Sequence, residues 1–204
     1  MTNTADFDAI VVGSGISGGW AAKELTEKGL TVLMLERGSP VRHGADYKGE
    51  HMPPWKIPYA GKPLRELYAE EYPIQSKVYA FDETTRHFFN NDKKNPYVYD
   101  KEKPFEWKRA DVLGGRSLLW GRQVYRWSDL DFEANKKDGH GIDWPIRYKD
   151  IAPWYSYVEE FVGVSGEKLG LPHLPDGEFQ PPMAMNIVER KIKESVEAHF
   201  LGAI

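Results

Sequence analysis

Six residues near the N-terminus carry the clearest chemical signal. Gly13-Ser14-Gly15-Ile16-Ser17-Gly18 reads G-x-G-x-x-G, and Gly19 follows it. A lone hexapeptide of this kind is weak in a chain with 19 glycines. Its setting strengthens it: an apolar run precedes it, a helical pattern opens with it, and a second apolar run ends in an acid at Glu36. In such a unit Gly13 makes the tight turn, Gly15 lets a pyrophosphate approach the backbone, and Gly18 lets the helix lie close to the sheet. Free N–H groups and the dipole at the helix N-terminus favour the diphosphate's charge. Glu36, 23 residues after Gly13, is placed to accept hydrogen bonds from the adenosine ribose. A carboxylate there repels a 2′-phosphate, so an NADP-type ligand is disfavoured. The competing reading is a glycine turn that binds nothing.

A second glycine-rich segment follows much later: Val112-Leu113-Gly114-Gly115-Arg116-Ser117-Leu118-Leu119-Trp120-Gly121. Paired glycines permit close approach of backbone to a ligand. By itself the segment also reads as a turn with Leu118, Leu119 and Trp120 in a core. Beyond these two segments no catalytic group can be chosen. The six histidines, His43, His51, His87, His140, His173 and His199, form no triad and have no metal-ligand spacing, so no metal site is expected. His87 is read as a partly exposed loop residue. Trp144, Trp154, Tyr155 and Tyr157 could stack on a sugar, although a helix packing its aromatic face is the simpler account. Lys136-Lys137 and Glu159-Glu160 read as solvated faces.

The elements that must position these groups begin with a βαβ pattern over residues 1–38. Asp8–Val12 and Leu30–Leu35 read as buried parallel strands, and Ser17–Lys28 as the helix between them. That helix is expected to bury Ala21, Ala22 and Leu25 and to expose Lys23, Glu24 and Lys28, with Gly29 stopping it at C′. Residues 39–107 are rich in proline and aromatics and lack clear periodicity, apart from a short helix within Leu64–Glu71. They read as an ordered excursion. The glycine segment occupies 108–126. The part from 143 to 204 is helical. One helix is capped by Asp150, tolerates Pro153 in its first turn, and packs Ile151, Trp154, Tyr155, Val158, Phe161 and Val162. The last helix aligns Val188, Ile192, Val196 and His199 or Phe200. Leu201-Gly202-Ala203-Ile204 then reads as the lead-in to a further strand.

Three features lean from NAD toward FAD: the N-terminal Val-Val-Gly-Ser-Gly start with its Leu-Glu-Arg-Gly end, the second glycine segment, and the long excursion. Together with Asp143-Trp144-Pro145-Ile146-x-Tyr148 and Gln180–Asn186, these motifs resemble the glucose–methanol–choline oxidoreductases. The likeness is greatest to the bacterial branch of gluconate dehydrogenases, glycoside 3-dehydrogenases and pyranose oxidases. The resemblance implies an α/β, Rossmann-like FAD-binding domain that is incomplete here, with further strands and the substrate domain outside this chain. It implies hydride transfer from CH–OH groups of sugars or related alcohols to the flavin, and electron delivery to an acceptor it does not identify. Gly13, Ser14, Gly15, Ile16, Ser17, Gly18, Glu36 and Arg37 are expected to contact the cofactor. Arg109, Gly114, Gly115, Ser117, Trp120 and Gly121 would lie toward the pyrophosphate and flavin. Some pyranose oxidases attach the flavin through a histidine before the tryptophan. Leu119 stands there, so non-covalent FAD is expected. The family's catalytic histidine pair, or histidine–asparagine pair, has no match in this chain, which is therefore expected to need a complementing C-terminal segment or partner subunit. An NAD-dependent dehydrogenase and a dinucleotide-binding module without turnover stay open.

Composition excludes other classes. Of the 204 residues 41% are hydrophobic and 28% charged, which suits a folded domain. A net charge of −4 gives no basic face for nucleic acid. The absence of cysteine rules out disulfides, thiolate metal sites and a thiol nucleophile. No apolar stretch has the ~20 residues of a membrane span. The N-terminus shows no signal pattern, so a cytoplasmic location is expected, with periplasmic export beside a signal-bearing partner left open.

Overall fold

The computed structural model describes residues 6–62 and 64–200. Met1–Ala5, Pro63 and the expected strand lead-in Leu201–Ile204 lie outside the described residues. The chain divides into two compact units between Arg122 and Gln123, inside the 108–126 segment.

The first unit opens with the expected βαβ unit. Strand β1 (Ala9–Val12) and strand β2 (Val32–Leu35) pair in parallel, with Ala9 opposite Val32 and Val12 opposite Leu35. Both are shorter than their apolar runs, because Asp8 is used to tie the sheet entry. Its N–H donates to Thr31 O at 2.9 Å, and its carboxylate accepts the Thr31 N–H at 2.7 Å. Gly13 ends β1 at φ +91 and still donates to Leu35 O at 2.7 Å. Helix α1 (Ile16–Glu27) follows, and Gly29 (φ +86) lies just past its cap residue Lys28.

Period-two alternation turns Val11 toward α1 and Ile10 and Val12 the other way, where they are 62% and 80% exposed. Parallel sheets normally have both faces covered. Here one face is open, contrary to the expectation of fully buried strands. Helix α1, on the other face, buries none of its residues. Ala22 and Leu25 are half-buried and Lys28 exposed, as expected, but Ala21 is exposed while Lys23 and Glu24 are half-buried, contrary to expectation. Lys23 pairs with Glu24 and Glu27 and lies over the Trp20 ring.

Residues 39–107 contain short 3-10 turns and one brief helix, α2 (Arg65–Tyr68), yet they build a core. Tyr72, Phe81 and Phe89 form its centre, with Tyr68, Val78, Ala80 and Leu119 against it. The ring pairs among Tyr68, Tyr72, Phe81 and Phe89 are edge-on or tilted, the arrangements aromatic quadrupoles favour. Beside it lies a polar cluster. Asp92 accepts from the N–H groups of Ile74 and Gln75 and from Gln75 Nε2. Gln75 also bonds Trp107 O and the Arg109 N–H. Single bridges then stitch the excursion to the second glycine segment: Phe89 with Ala110 antiparallel, and Ser39 with Val112 parallel. The excursion is thus an ordered insert that carries the second segment back alongside the end of β2.

The second unit holds α3 (Asp129–Phe132), α4 (Ala134–Asp138), α5 (Tyr148–Val162) and α6 (Ile187–His199). Helix α5 starts two residues before the expected cap. Asp150 is its third residue, and its carboxylate accepts the Arg147 N–H at 2.8 Å. Pro153 consequently sits in the second turn, at the loss of one helical hydrogen bond. Ile151, Tyr155 and Val158 are half-buried as expected, whereas Trp154, Phe161 and Val162 are exposed, and the buried residue of α5 is Glu159. Of the Glu159-Glu160 pair, Glu160 is exposed as expected, but Glu159 is not part of a solvated face. Glu159 forms an ion pair with buried Arg126 at 2.6 Å. Helix α6 is capped by the Asn186 side chain, which accepts from Val188 and Glu189 N–H, and it buries no residue. Val188, Ile192 and Phe200 are exposed.

Candidate functional site

The glycine loop, the end of β2 and the second glycine segment converge in the first unit. Gly18 sits where it must be glycine: a Cβ would stand 1.9 Å from Gly13 O and 3.4 Å from Val11 Cγ1. Gly15, by contrast, has nothing within 4 Å of where its Cβ would project. The loop is closed tightly behind and open in front. Gly15 also serves as the N-cap of α1 and supplies no side-chain acceptor, and the first α1 bond runs from Gly19 N–H to Gly15 O. The first-turn N–H groups of Ile16, Ser17 and Gly18 accordingly have no partner within the helix, as a helix N-terminus dictates. An open glycine cradle before uncapped N–H groups fits a phosphate group.

Glu36 stands at the side of this cradle. Its Oε2 accepts from Ser14 N–H at 2.8 Å and Ser14 Oγ at 2.5 Å, and its Oε1 accepts from Gly38 N–H at 2.6 Å. The Ser14 hydroxyl, with the Gly38 and Ser14 N–H groups, holds the carboxyl down to about 2. Arg37 points elsewhere, pairing with Asp111 at 2.9 Å. Gly38 must also be bare, because a Cβ would meet the Val112 backbone at 2.5 Å.

From the other side comes the turn at 114–118. Gly114 (φ +88) and Gly115 (φ +56) are both left-handed, a conformation glycine adopts without strain. Ser117 closes the turn, its hydroxyl donating to Gly114 O at 2.6 Å. The Gly114 N–H donates to Ser14 Oγ at 2.8 Å, across a hundred residues of sequence. A Cβ on Gly115 would lie 3.5 Å from Gly15 Cα. The structure therefore brings together Gly13 to Gly18, Glu36, Gly114, Gly115 and Ser117.

Arg109, Trp120 and Gly121 have other settings. Arg109 is buried: its Nη2 donates to Asn95 O at 2.7 Å, and its guanidinium lies about 5 Å from the Tyr97 and Trp107 rings. It lines a small open pocket with Tyr79, Lys108, Arg116 and Trp120. The nearest side chain to Gly121 is Tyr79. Leu119 packs on the aromatic core. His87 is partly buried, which lowers its pKa although its Nε2 lies 2.6 Å from Asp46 O. Among the described residues no group of three or more His, Cys, Asp or Glu could hold a metal ion. Sequence reasoning missed the Ser14 bridge and the Asp111 partner of Arg37. Neither has a local signal, since both pairings follow from how the excursion returns.

No family model matches the chain. It is similar to several curated oxidoreductases. A 2-methyl-1,2-propanediol dehydrogenase of Mycolicibacterium austroafricanum is 28% identical over 186 residues, 86% of this chain and 28% of that protein. The fructose dehydrogenase large subunit of Gluconobacter japonicus is 27% identical, over 90% of this chain and 31% of its own. An oxygen-dependent choline dehydrogenase of Xanthomonas axonopodis pv. citri is 29% identical, over 76% and 23%. The chain spans between about a quarter and a third of the length of these relatives. Their names range over a diol, a sugar and choline, so the sugar-oxidising branch of the family is not singled out. A solved structure, pyridoxine 4-oxidase from Mesorbium loti, overlaps 74% of this chain and 24% of its own with 20% identity and a TM-score of 0.38. The fold assignment rests on the βαβ register, not on that superposition. Among the described residues no helix is long and apolar enough to cross a membrane.

Proposed function

We propose that this chain is the FAD-binding N-terminal part of an oxidoreductase acting on CH–OH groups of sugars or related alcohols. The observation that carries the reading is the meeting of the two glycine segments through Gly114 N–H and Ser14 Oγ. A nicotinamide domain needs the first segment only. A flavin dinucleotide needs a second close-approach surface beyond its pyrophosphate, and the bare turn at Gly114-Gly115 offers one beside the first.

The chemistry supplied by bound FAD is acceptance of a hydride from the alcohol carbon. The residues of this chain bind and orient. The first-turn N–H groups of α1 hold the diphosphate, and Glu36 accepts the ribose hydroxyls. The paired glycines allow the flavin side to approach the backbone. Leu119 offers no nucleophile for attachment, which supports non-covalent FAD. Arg109, held by Asn95 O and the Tyr97 and Trp107 rings, anchors the segment that leads into Gly114. The base that takes the hydroxyl proton, a histidine by family resemblance, belongs to polypeptide outside this chain, as do the substrate walls and the route to the electron acceptor.

Titration of the chain with FAD and with NAD, followed by calorimetry and flavin fluorescence, tests the reading. FAD should bind and be released intact on denaturation, and Gly15→Leu should abolish binding by filling the cradle. Binding of NAD without FAD would replace the reading with a nicotinamide enzyme.

A further inference from the structure

Ser14 occupies a variable position of the glycine fingerprint, and its hydroxyl does something the fingerprint does not require. As a donor it is spent on Glu36 Oε2 at 2.5 Å, and as an acceptor it takes the Gly114 N–H at 2.8 Å. One hydroxyl thus joins the phosphate loop, the end of β2 and the second glycine turn. Among the described residues this is the hydrogen bond that links the loop to that turn. The turn is otherwise closed on itself, with Ser117 Oγ and Ser117 N–H both donating to Gly114 O.

The direction of the coupling follows from hydrogen-bond capacity. A carboxylate offers about four acceptor sites. Both Ser14 donors sit on Glu36 Oε2 and the Gly38 N–H on Oε1, so a ribose hydroxyl that approaches Oε1 does not displace Ser14. With the Ser14 proton committed to Glu36, an oxygen lone pair is turned to Gly114. Gly114 at φ +88 has no side chain to fix its own orientation, so the Ser14 contact sets where its N–H points.

We propose that Ser14 is a positioning residue that transmits occupancy of the adenosine-diphosphate half of the site to the glycine turn at 114–118. This rests on the dinucleotide reading above and deepens it. Ligand bound at the loop and Glu36 stiffens the Ser14 hydroxyl between its two partners, and the flavin-side turn becomes ordered before the flavin end arrives. The two halves of the cofactor then bind cooperatively through one side chain.

Amide hydrogen exchange on the 204-residue chain, with ADP as the probe, separates the alternatives. ADP carries the adenosine and diphosphate but no flavin. In the wild-type chain it should protect residues 13–18 and also 114–118. In Ser14→Ala it should protect 13–18 alone, and the Gly114 amide should exchange about tenfold faster even without ligand, the effect of one lost hydrogen bond. Ser14→Thr keeps the hydroxyl and should restore both responses. Unchanged protection around Phe81–Phe89 shows that the variants remain folded. Protection of 13–18 without any response at 114–118 in the wild-type chain overturns the coupling while leaving the dinucleotide reading intact. An equal response in Ser14→Ala does the same. Protection at neither segment overturns both.

Discussion

Glu36 is a carboxylate at the open side of the molecule, yet three donors keep it ionised far into acid. The Ser14 hydroxyl contributes most, followed by the Gly38 and Ser14 N–H groups, and the pKa falls to about 2 from an ordinary 4.5. Because the folded value lies below the unfolded one, the stabilisation is fully present above about 4.5. It declines as pH falls below that value and is lost on passing about 2. The Gly38 amide proton, which donates to Glu36, should therefore titrate by NMR with a midpoint near 2, and Ser14→Ala should move the midpoint up toward 4.5. A wild-type midpoint at the ordinary value would mean that the Ser14 and Gly38 bonds do not persist in solution. The spacing from Gly13 placed Glu36 at the end of β2 without any structure. It could not show that the Ser14 hydroxyl also takes the Gly114 N–H, because those two segments are brought together by the excursion between them.

At the scale of elements, short-range rules worked where the stabilising forces are short-range. The βαβ order, the Gly29 stop and the two positive-φ glycines at 114 and 115 follow from local sterics. The faces of helices did not follow, since a helix face is chosen by what lies against it. Glu159 shows this most clearly. Burial alone raises its pKa, but the bonds from Arg126 and the Glu178 N–H, and the charge of Arg126, outweigh burial and hold it below the ordinary value. Arg126 reaches it through Nε at 2.9 Å and Nη2 at 2.6 Å, and also bonds Tyr148 Oη and Ser156 Oγ. Nothing in the doubled glutamate of the sequence announces an arginine 33 residues earlier. Removing one member of a buried pair strands the other charge, at a cost of about 3–5 kcal/mol, whereas replacing both with apolar groups of similar volume is often nearly neutral. Glu159→Ala should thus lower the stability of this unit in urea unfolding by that order. The double variant Arg126→Met with Glu159→Leu should recover much of the loss. Equal losses in both would show that the site depends on packing rather than on charge.

At the scale of the molecule, too much apolar surface is in contact with water. The chain exposes 15578 Å² for a mass of 23.4 kDa. A self-contained monomer of this mass would expose about 9,700 Å², and two separate units sharing the mass about 12,000 Å². Part of the surplus lies on identifiable faces: Ile10, Val12 and Leu35 on the open side of the sheet, Trp154, Phe161 and Val162 on α5, and Val188, Ile192 and Phe200 on α6. Faces of this kind mark contact surfaces, and a parallel sheet in particular requires cover on both sides. The relatives carry about two thirds or more of their length outside the matched region. Produced alone, the 204-residue chain should bind a hydrophobic dye such as ANS and self-associate as concentration rises. Produced together with a polypeptide that supplies the remainder, it should lose the dye signal and elute as one complex, with FAD bound more tightly than by either piece. A chain that stays monomeric alone and binds no dye would show that these faces find cover within the chain itself, and the case for a complementing segment would fall with them.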